Sequence, residues 1–428
     1  MKMKELKRLV AVFVSFGVFA MVINLRSNGP FFDSKEANLL PNFNKTVVLE
    51  KPQLKAIRKE IYRQLWRHPE PVLQPCWDKH LAMLKTKPWG FLGVRLSKGP
   101  HYHRIQVAEA VVIAKYVSAT LLLPTIKDGD KEPNGQFDNI YHPTAFIMGL
   151  QNVLRVVGRL PEDMSSVTPT VINVPYGATP KYIEENIRPI FRQKALVIID
   201  NFFYSNKLEE AQPELEALKC LVMYKALKFH PNLIRLGNHI IDRMREAGEV
   251  ADGRFICLDL RVEYLLRNGC NFSMNEGDIL DNKKCVNVSY IGGFLEHIGF
   301  PEDTAIYLTQ SRWDMRLNPL GKTFLNIHTK EYSMPFNEEK QILYSGNTRF
   351  ERALDFYICS RSDVFVPASS GMFYTHVAGE RILLGNTHIL VPFRRCSSLA
   401  KDCPMSRYVT RREHFVYKCA CAFNYTEP

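Results

Sequence analysis

Short apolar segments that alternate with helical stretches constrain the fold of this chain most strongly. "FLGVRLS" (91–97) and "TLLLP" (120–124) have the apolar content of buried strands, and residues 106–118 between them place their apolar side chains on one helical face. "TPTVINVP" (168–175) and "ALVIID" (195–200) are further strand candidates. A strand, a helix and a second strand in this order predict a parallel sheet, because parallel strands need a long crossover connection.

The same pattern begins again after "REAGEVADGRF" (245–255). Strands are predicted within "RFICLDLRVEYL" (254–265), "DTAIYLTQ" (303–310) and "HILVP" (388–392). "SDVFVPASSGMFYTHVAGERIL" (362–383) predicts a strand, a loop of small residues and a helix. The second half therefore repeats the strand and helix order of the first.

Two such units predict an α/β fold with two Rossmann-type domains, at residues 71–247 and 248–428. A chain of 428 residues is long enough to bury two cores of ordinary size. Ligands of such sheets bind beyond the carboxyl ends of the strands. We therefore expect the functional site in a cleft between the two domains.

The apolar segment at residues 9–25 carries no charge and follows a basic cluster within residues 1–8. Its 17 residues are at the short end of what spans a bilayer, and basic flanks stay on the cytosolic side. These features predict a cytosolic tail, a single transmembrane signal anchor, and a luminal stem at 26–70 with a docking helix at 54–65. A short span suits the early secretory pathway. A cleaved signal peptide is the alternative.

Asparagine sequons and cysteines are consistent with a luminal body. Four N-x-S/T sequons predict glycosylation at Asn44, Asn271, Asn287 and Asn424. Ten cysteines, an even number, allow several disulfides in an oxidising lumen. One pair brackets a polar loop and four more lie near the chain end: Cys270 and Cys285, then Cys396, Cys403, Cys419 and Cys421. Zinc is the alternative for the last four, but they contain no C-x-x-C spacing.

The formal net charge of +12 favours an anionic partner. A nucleotide-activated substrate, an acidic polysaccharide and an anionic lipid all have the required charge. The basic residues are spread along the chain rather than clustered, which argues against nucleic acid.

Asp259, Arg261 and Glu263 lie at the predicted carboxyl end of a strand, where alternation would place them on one face. A guanidinium group donates two hydrogen bonds to phosphate oxygens, so Arg261 is a candidate for binding a diphosphate. The flanking carboxylates would orient it, or one of them would act as a base. A structural ion pair at the sheet edge is the alternative.

A second candidate site lies between the predicted strand and helix of residues 362–383. Ser369, Ser370 and Gly371 would direct hydroxyl and backbone N–H groups at an anion. Asp363, at the predicted strand start, would hydrogen-bond a base or a ribose. A plain helix N-cap is the alternative, since serine is common before helices.

"HYHR" (101–104) follows the first predicted strand, in a predicted loop. His101 and His103 lack a third ligand nearby in sequence, so the pattern does not predict a metal site. Arg104, near the start of a helix, is expected to contact an anion or a sugar. One histidine, with Tyr102 beside it, would hydrogen-bond a sugar hydroxyl while the other packs.

Six segments in order resemble the plant O-fucosyltransferase-like glycosyltransferases, and most closely their mannan-synthesis-related branch. The resemblance covers about residues 73–420. The segments are "LQPCW", "GPHYHRIQVAEAVVIAKYVSATLLLPTI", "GQFDNIYHPTAFI", "GRFICLDLRVEYL", "IYLTQSRWD" and "DFYICSRSDVFVPASSGMFY". Such a resemblance implies a GT-B fold whose second Rossmann-like domain binds a nucleotide sugar, in a type II Golgi membrane protein. It also implies an inverting sugar transfer that needs no metal or other cofactor.

The resemblance assigns roles to the residues that match the family's motifs. Arg261 and Glu263 match a histidine–leucine–arginine–x–glutamate motif, so Arg261 would contact the diphosphate, but Asp259 replaces the histidine. Asp363 and the small loop after it match a third motif. Residues 97–106 depart from the family's donor loop. The donor implied is thus GDP-fucose, GDP-mannose or UDP-rhamnose.

The sequence therefore predicts a Golgi glycosyltransferase of mannan or glucomannan synthesis, with a polysaccharide or glycan acceptor and Arg261 and Glu263 as catalytic residues. The rival hypothesis is a non-catalytic Golgi partner of a mannan synthase, which would keep the fold. A lectin-like protein that binds oligosaccharide but no nucleotide is a third hypothesis.

Overall fold

The computed structural model describes residues 65–66, 69–77, 88–127, 135–204, 213–267, 287–335, 348–392 and 404–421. The predicted tail and membrane anchor, and nearly all of the predicted stem, lie outside these residues. Within the described ranges, no helix combines the length and the apolar character needed to cross a membrane.

A parallel sheet forms in the first half of the described chain. Its strand order is β4-β2-β1-β6-β5, and β3 pairs with β1 beyond β2. The strands are β1 (Phe91–Leu96), β2 (Thr120–Leu122), β3 (Thr125–Ile126), β4 (Val156–Val157), β5 (Thr170–Pro175) and β6 (Leu196–Phe203). The helices are α1 (Pro100–Val117), α2 (Pro143–Leu150), α3 (Pro180–Tyr182), α4 (Arg188–Gln193), α5 (Pro213–Cys220) and α6 (Pro231–Ala247). π-helical turns, Ile183–Ile187 and Leu221–Ala226, continue α3 and α5.

A second parallel sheet follows, with the strand order β10-β7-β8-β9. Its strands are β7 (Ile256–Asp259), β8 (Ile306–Leu308), β9 (Ile327–His328) and β10 (Val364–Pro367). The helices are α7 (Val262–Arg267), α8 (Val288–Ile298), α9 (Asn318–Thr323), α10 (Lys330–Ser333), α11 (Thr348–Arg361), α12 (Met372–Leu383) and α13 (Arg407–Thr410). Two parallel sheets with helices between their strands confirm the predicted α/β class. The predicted domain boundary after residue 247 stays a prediction.

Three predicted elements differ from the structure. The strand predicted at 254–265 ends at Asp259, because the chain turns at Leu260, whose N–H bonds to the Leu258 carbonyl, and then enters α7. Strand alternation therefore does not relate Asp259 to Glu263. The loop predicted after β1 is already helix, since Gly99 is the extended N-cap of α1 and Pro100 fits its first turn. "HILVP" (388–392) forms isolated bridges rather than a strand.

Helix α1 fixes how the two sheets are joined. Its residues from Val107 to Ala114 are buried throughout, so the helix is covered on all sides rather than on one face. The larger apolar core contains side chains of α1 together with Cys257, Tyr307 and Phe365 from the second sheet. The sheets are therefore packed through one shared core.

Three disulfides connect distant segments of the described chain. They are Cys76–Cys421, Cys220–Cys419 and Cys257–Cys359. Two of the four C-terminal cysteines thus pair with cysteines far upstream. The predicted closure of the loop between Cys270 and Cys285 lies outside the described residues, as do Cys396 and Cys403.

Loss of the Cys220–Cys419 disulfide is expected to destabilise the protein. The two cysteines are 199 residues apart, so the bond strongly restricts the unfolded chain. The double variant Cys220→Ala/Cys419→Ala is expected to lower the free energy of unfolding by roughly 2–5 kcal/mol. Urea denaturation followed by circular dichroism measures this, with peptide mapping of the non-reduced wild type as the control. Equal midpoints for the variant and the wild type would contradict the expectation.

Candidate active site

The carboxyl edges of the two sheets approach each other. The Arg349 Nε, at the start of α11, donates to the Lys98 carbonyl just after β1 at 3.1 Å. The His101 ring, in the first turn of α1, meets the Phe373 ring, in the first turn of α12, with centroids 5.6 Å apart. Residues that follow strands of both sheets therefore meet here, and the region between the two carboxyl edges is called the cleft below.

Arg261 lies in this cleft between β7 and α7. It is half-buried, and its guanidinium makes no hydrogen bond or ion pair with any residue that the structure describes. It lies over the Tyr264 ring, 5.5 Å from the centroid. Withdrawal from water and the nearby Arg352 lower the pKa of Arg261 to about 10, so it stays charged at neutral pH. Partial burial of a cation without an anionic partner costs free energy, and binding of an anion offsets that cost.

The Asp259 carboxylate forms a buried ion pair with Arg352. Its two carboxylate oxygens accept from the Arg352 guanidinium at 2.7 and 3.0 Å, and the Thr309 hydroxyl donates at 3.0 Å. Burial alone would raise the pKa of Asp259, but the charge and hydrogen bonds of Arg352 hold it below its ordinary value. The geometry thus supports the structural alternative for this residue, not donor binding.

The ion pair continues into a buried network. The Lys330 ammonium donates to both oxygens of Asp355 at 2.9 and 3.0 Å, and the Tyr307 hydroxyl donates to the same carboxylate at 3.0 Å. Arg352 approaches Asp355 at 3.5 Å. The sequence analysis missed these residues. Arg352 and Asp355 are three residues apart in one helix, where opposite charges can pair, and this spacing was the available signal.

Glu263 lies at the rim of the cleft, in the first turn of α7, and is exposed. Its Oε1 accepts from the Gln310 amide at 2.9 Å, and the Gln310 carbonyl oxygen accepts from the Val262 N–H at 2.9 Å. Gln310 thereby fixes the carboxylate relative to the backbone next to Arg261. The carboxylate keeps a second oxygen that can accept a proton from a substrate hydroxyl.

The small-residue loop after β10 lies beside Arg261. Ser369 lines a shallow indentation together with Arg261 and Tyr264. Ser370 and Gly371 are exposed, and Gly371 has a φ of 137°, which favours glycine at the start of α12. The structure therefore brings Arg261 and the predicted anion loop together, because β7 and β10 are neighbours.

Asp363 does not belong to this site. It precedes β10, so it lies at the amino edge of the sheet, about 13 Å of strand away from the Ser369 loop. Its carboxylate accepts from the Phe255 N–H and from Arg245, both at 3.0 Å. The structure therefore separates Asp363 from Arg261 and the Ser369 loop, because residues at opposite ends of one strand lie at opposite edges of the sheet. Its predicted contact with a base or ribose stays a prediction.

Arg104 is also removed from the cleft. It is buried, pairs with Glu380 of α12 at 2.8 Å, and lies over the Phe356 ring at 4.5 Å. The pair joins α1 to the second sheet's helices. Helical geometry directs the Arg104 side chain into the shared core, away from Arg261. Its predicted donor contact stays a prediction.

The two histidines of α1 do not converge. The His103 Nδ1 is 3.0 Å from the Tyr141 hydroxyl in the core, and burial lowers the pKa of His103 to about 3. His101 faces Phe373 in the cleft, and burial and Arg352 lower its pKa well below the ordinary value. Tyr102 is half-buried beneath the Lys98 ammonium, 4.4 Å from its ring centroid. No group of three metal-ligating side chains occurs in the parts of the chain that the structure describes.

One predicted glycosylation site lies within the described residues. Asn287 is the N-cap of α8, where its side-chain oxygen accepts from the Ser289 N–H at 2.9 Å. Asn44, Asn271 and Asn424 lie outside the described ranges. Glycosylation of all four stays a prediction.

Comparisons with known proteins decide the family. Residues 99–384 match the sequence profile of the family described as GDP-fucose protein O-fucosyltransferase. The chain belongs to this family. It is 37% identical to Protein MANNAN SYNTHESIS-RELATED 1 of Arabidopsis thaliana, over 83% of this chain and 84% of that protein. It is 35% identical to Protein MANNAN SYNTHESIS-RELATED of Trigonella foenum-graecum, over 82% of this chain and 85% of that protein.

Solved structures similar to this O-fucosyltransferase-family chain share little sequence with it. POFUT1 in complex with GDP is 12% identical with a TM-score of 0.43, covering 72% of this chain and 99% of that chain. The fucosyltransferase NodZ from Bradyrhizobium is 14% identical with a TM-score of 0.41, covering 72% and 96%. The resemblance inferred from the six sequence segments is confirmed by the family match and the mannan synthesis-related relatives.

The Asp259–Arg352 pair is expected to be a major source of stability. Asp259→Asn leaves the buried Arg352 charge without its carboxylate, which costs roughly 3 kcal/mol in the free energy of unfolding. The control is Glu216→Gln, whose partner Lys418 is mostly exposed, with an expected cost below about 1 kcal/mol. Guanidinium denaturation of both variants checks this. A cost for Asp259→Asn as small as that of the control would count against the buried pair.

Acid is expected to destabilise the protein from about pH 6.5 downward, near the ordinary pKa of histidine. Burial lowers the pKa of His103 and His376 to about 3 and that of His414 to about 4. Below pH 6.5 the unfolded chain therefore binds protons that the folded chain does not, and stability falls until the folded pKa is reached. Each such histidine contributes about 1.4 kcal/mol per pH unit.

Urea denaturation at pH 7.5, 6.5, 5.5 and 4.5 measures this slope. His376→Leu, which removes a buried histidine without a hydrogen-bond partner, is expected to reduce the slope, whereas His239→Leu at an exposed position is not. Stability that stays constant from pH 6.5 to 4.5 would show that these histidines titrate normally.

Proposed function

We propose that this chain is a glycosyltransferase that moves a sugar from a nucleotide sugar to a polysaccharide or glycan acceptor in mannan or glucomannan synthesis. The observation that carries the proposal is Arg261. It is a half-buried cation without an anionic partner in the described chain, and it matches the arginine of the family's motif. It lies beside the Ser369 loop at the carboxyl edge of a parallel sheet. A diphosphate provides the missing negative charge.

The proposed reaction is a single inverting displacement. The acceptor hydroxyl oxygen attacks the anomeric carbon, and the bond from that carbon to the diphosphate oxygen breaks on the opposite face. Arg261 stabilises the charge that develops on the departing diphosphate. The acceptor proton passes to Glu263, which Gln310 holds in position. No step of this scheme requires a metal ion.

A GDP-sugar is the first candidate for the donor. The family's description names GDP-fucose, and the mannan synthesis-related relatives suggest GDP-mannose as well. UDP-rhamnose is the third candidate. The arginine contact with the diphosphate does not depend on the base or the sugar, so these three donors have to be compared directly.

We also propose that the body lies in the Golgi lumen behind a type II membrane anchor at residues 9–25. Three disulfides are typical of proteins that fold in an oxidising compartment. The +12 charge fits a luminal enzyme with an anionic donor. A mannan synthase is the proposed protein partner.

The second candidate is a non-catalytic partner of a mannan synthase. One observation favours it: Asp259, which replaces the histidine of the family's motif, is held by Arg352 and Thr309 and faces the core. A group at this position that contacts the substrate in other members would then be missing here. Nucleotide binding without transfer would identify this candidate.

Removal of the Arg261 guanidinium is expected to weaken both binding and transfer. Arg261→Ala should lower kcat by about 10²–10³-fold, because one preorganised contact to developing charge is lost. The assay follows release of GDP or UDP from the three donors with and without glucomannan oligosaccharides, and calorimetry measures GDP affinity. Arg316→Ala is the control, since Arg316 is exposed and pairs with Asp314. A wild type that binds no nucleotide would overturn the proposal, and binding without turnover would favour the partner hypothesis.

A further inference from the structure

Three tyrosines from three separate elements lie around the cleft. Tyr102 is in the first turn of α1, Tyr204 follows β6 directly, and Tyr264 is in α7. Tyr204 is 68% exposed and Tyr264 is 36% exposed, whereas Tyr102 is half-buried. All three follow the carboxyl ends of their strands, so both sheets contribute to the group. Exposed aromatic rings that converge in a cleft are typical of ligand sites.

Tyr204 and Tyr102 are connected through one supporting ring, because Tyr204 packs on Tyr176 and Tyr176 is bonded to Gln106, one helical turn after Tyr102 in α1. The Tyr204 ring packs on the Tyr176 ring with centroids 4.9 Å apart, and Tyr176 stacks on Phe202 at 5.4 Å. The Gln106 amide donates to the Tyr176 hydroxyl at 3.2 Å, which fixes the supporting ring. Burial and the nearby phenols of Tyr204 and Tyr264 raise the pKa of Tyr102, in agreement with this proximity.

The group adjoins the expected diphosphate position. The Arg261 guanidinium lies 5.5 Å from the Tyr264 ring centroid, so the tyrosines extend from Arg261 towards the first sheet. The acceptor hydroxyl has to reach the carbon that bears the diphosphate. An acceptor chain that enters the cleft next to Arg261 therefore crosses these rings.

We propose that Tyr102, Tyr204 and Tyr264 bind neutral sugar residues of the acceptor chain; the proposal rests on the function proposed above. A tyrosine offers an apolar face and a hydroxyl, which match the C–H face and the hydroxyl groups of a hexose. Tyr204 offers the most open face. Lys98 covers part of Tyr102, whose hydroxyl is left for hydrogen bonding.

Calorimetry on the full-length chain in detergent tests this with two separate probes, mannohexaose and GDP. Tyr204→Ala and Tyr264→Ala are expected to raise the Kd for mannohexaose about tenfold each, while Tyr204→Phe, which keeps the ring, stays within about threefold. The GDP affinity of Tyr204→Ala should match that of the wild type. Trp89→Ala is the matched control, because Trp89 is 65% exposed but precedes β1 at the opposite edge of the sheet.

The two probes separate failure of this inference from failure of the proposed function. If the wild type binds GDP but does not bind mannohexaose at millimolar concentration, the inference is overturned. The proposed donor site at Arg261 is unaffected by that result. Unchanged mannohexaose affinity in both alanine variants also overturns it, and a loss of GDP binding alone would assign the rings to the nucleobase. If the protein binds mannohexaose through these tyrosines but does not bind GDP, the inference is supported and the proposed glycosyltransferase function is contradicted.

Discussion

The buried ion pair between Asp259 and Arg352 is the interaction on which the cleft depends. It forms where β7 leaves the second sheet, and it ties this strand to helix α11. Arg352 also lies over the Phe373 ring, 3.1 Å from the centroid, at the start of α12. One guanidinium thus positions the end of β7 relative to both helices that border the site. Because each charge of the pair is buried, loss of either partner would leave the other unsatisfied.

Because Asp259 pairs with Arg352, the two arginines near the end of β7 differ in their charge balance. Arg352 has its charge balanced by Asp259, whereas Arg261, two residues after Asp259 in the chain, is left without a carboxylate partner in the described residues. The half-burial of Arg261 costs free energy that a bound anion would recover. Lys330 and Asp355 extend the balanced part of the network away from the cleft. Within the described part of the chain, Arg261 therefore stays without a balancing carboxylate at the carboxyl edge of the second sheet.

The sequence predicted those parts of the fold and site that follow from local pattern and from sheet geometry. The strand Phe91–Leu96 is apolar except for Arg95, and neighbouring parallel strands bring Arg261 and Ser369 to one edge. Side-chain partners could not be predicted in this way. Arg104 pairs with Glu380 across 276 residues, and the network of Lys330 and its partners joins segments that the sequence does not relate. The position of Asp363 at the amino edge of β10 could not be predicted either, because a motif shows proximity in sequence, not which edge of a sheet a residue lies at.

The replacement of the family's histidine by Asp259 also has an electrostatic consequence. An unpaired carboxylate next to Arg261 would repel a diphosphate, since like charges about 6 Å apart interact by roughly 3 kcal/mol at an effective dielectric of about 20. Arg352 removes this cost by holding both oxygens of Asp259 in a buried bidentate pair. With aspartate at position 259, an arginine at position 352 is thus the condition for anion binding at Arg261. The replacement is therefore compatible with the diphosphate binding that we propose for Arg261.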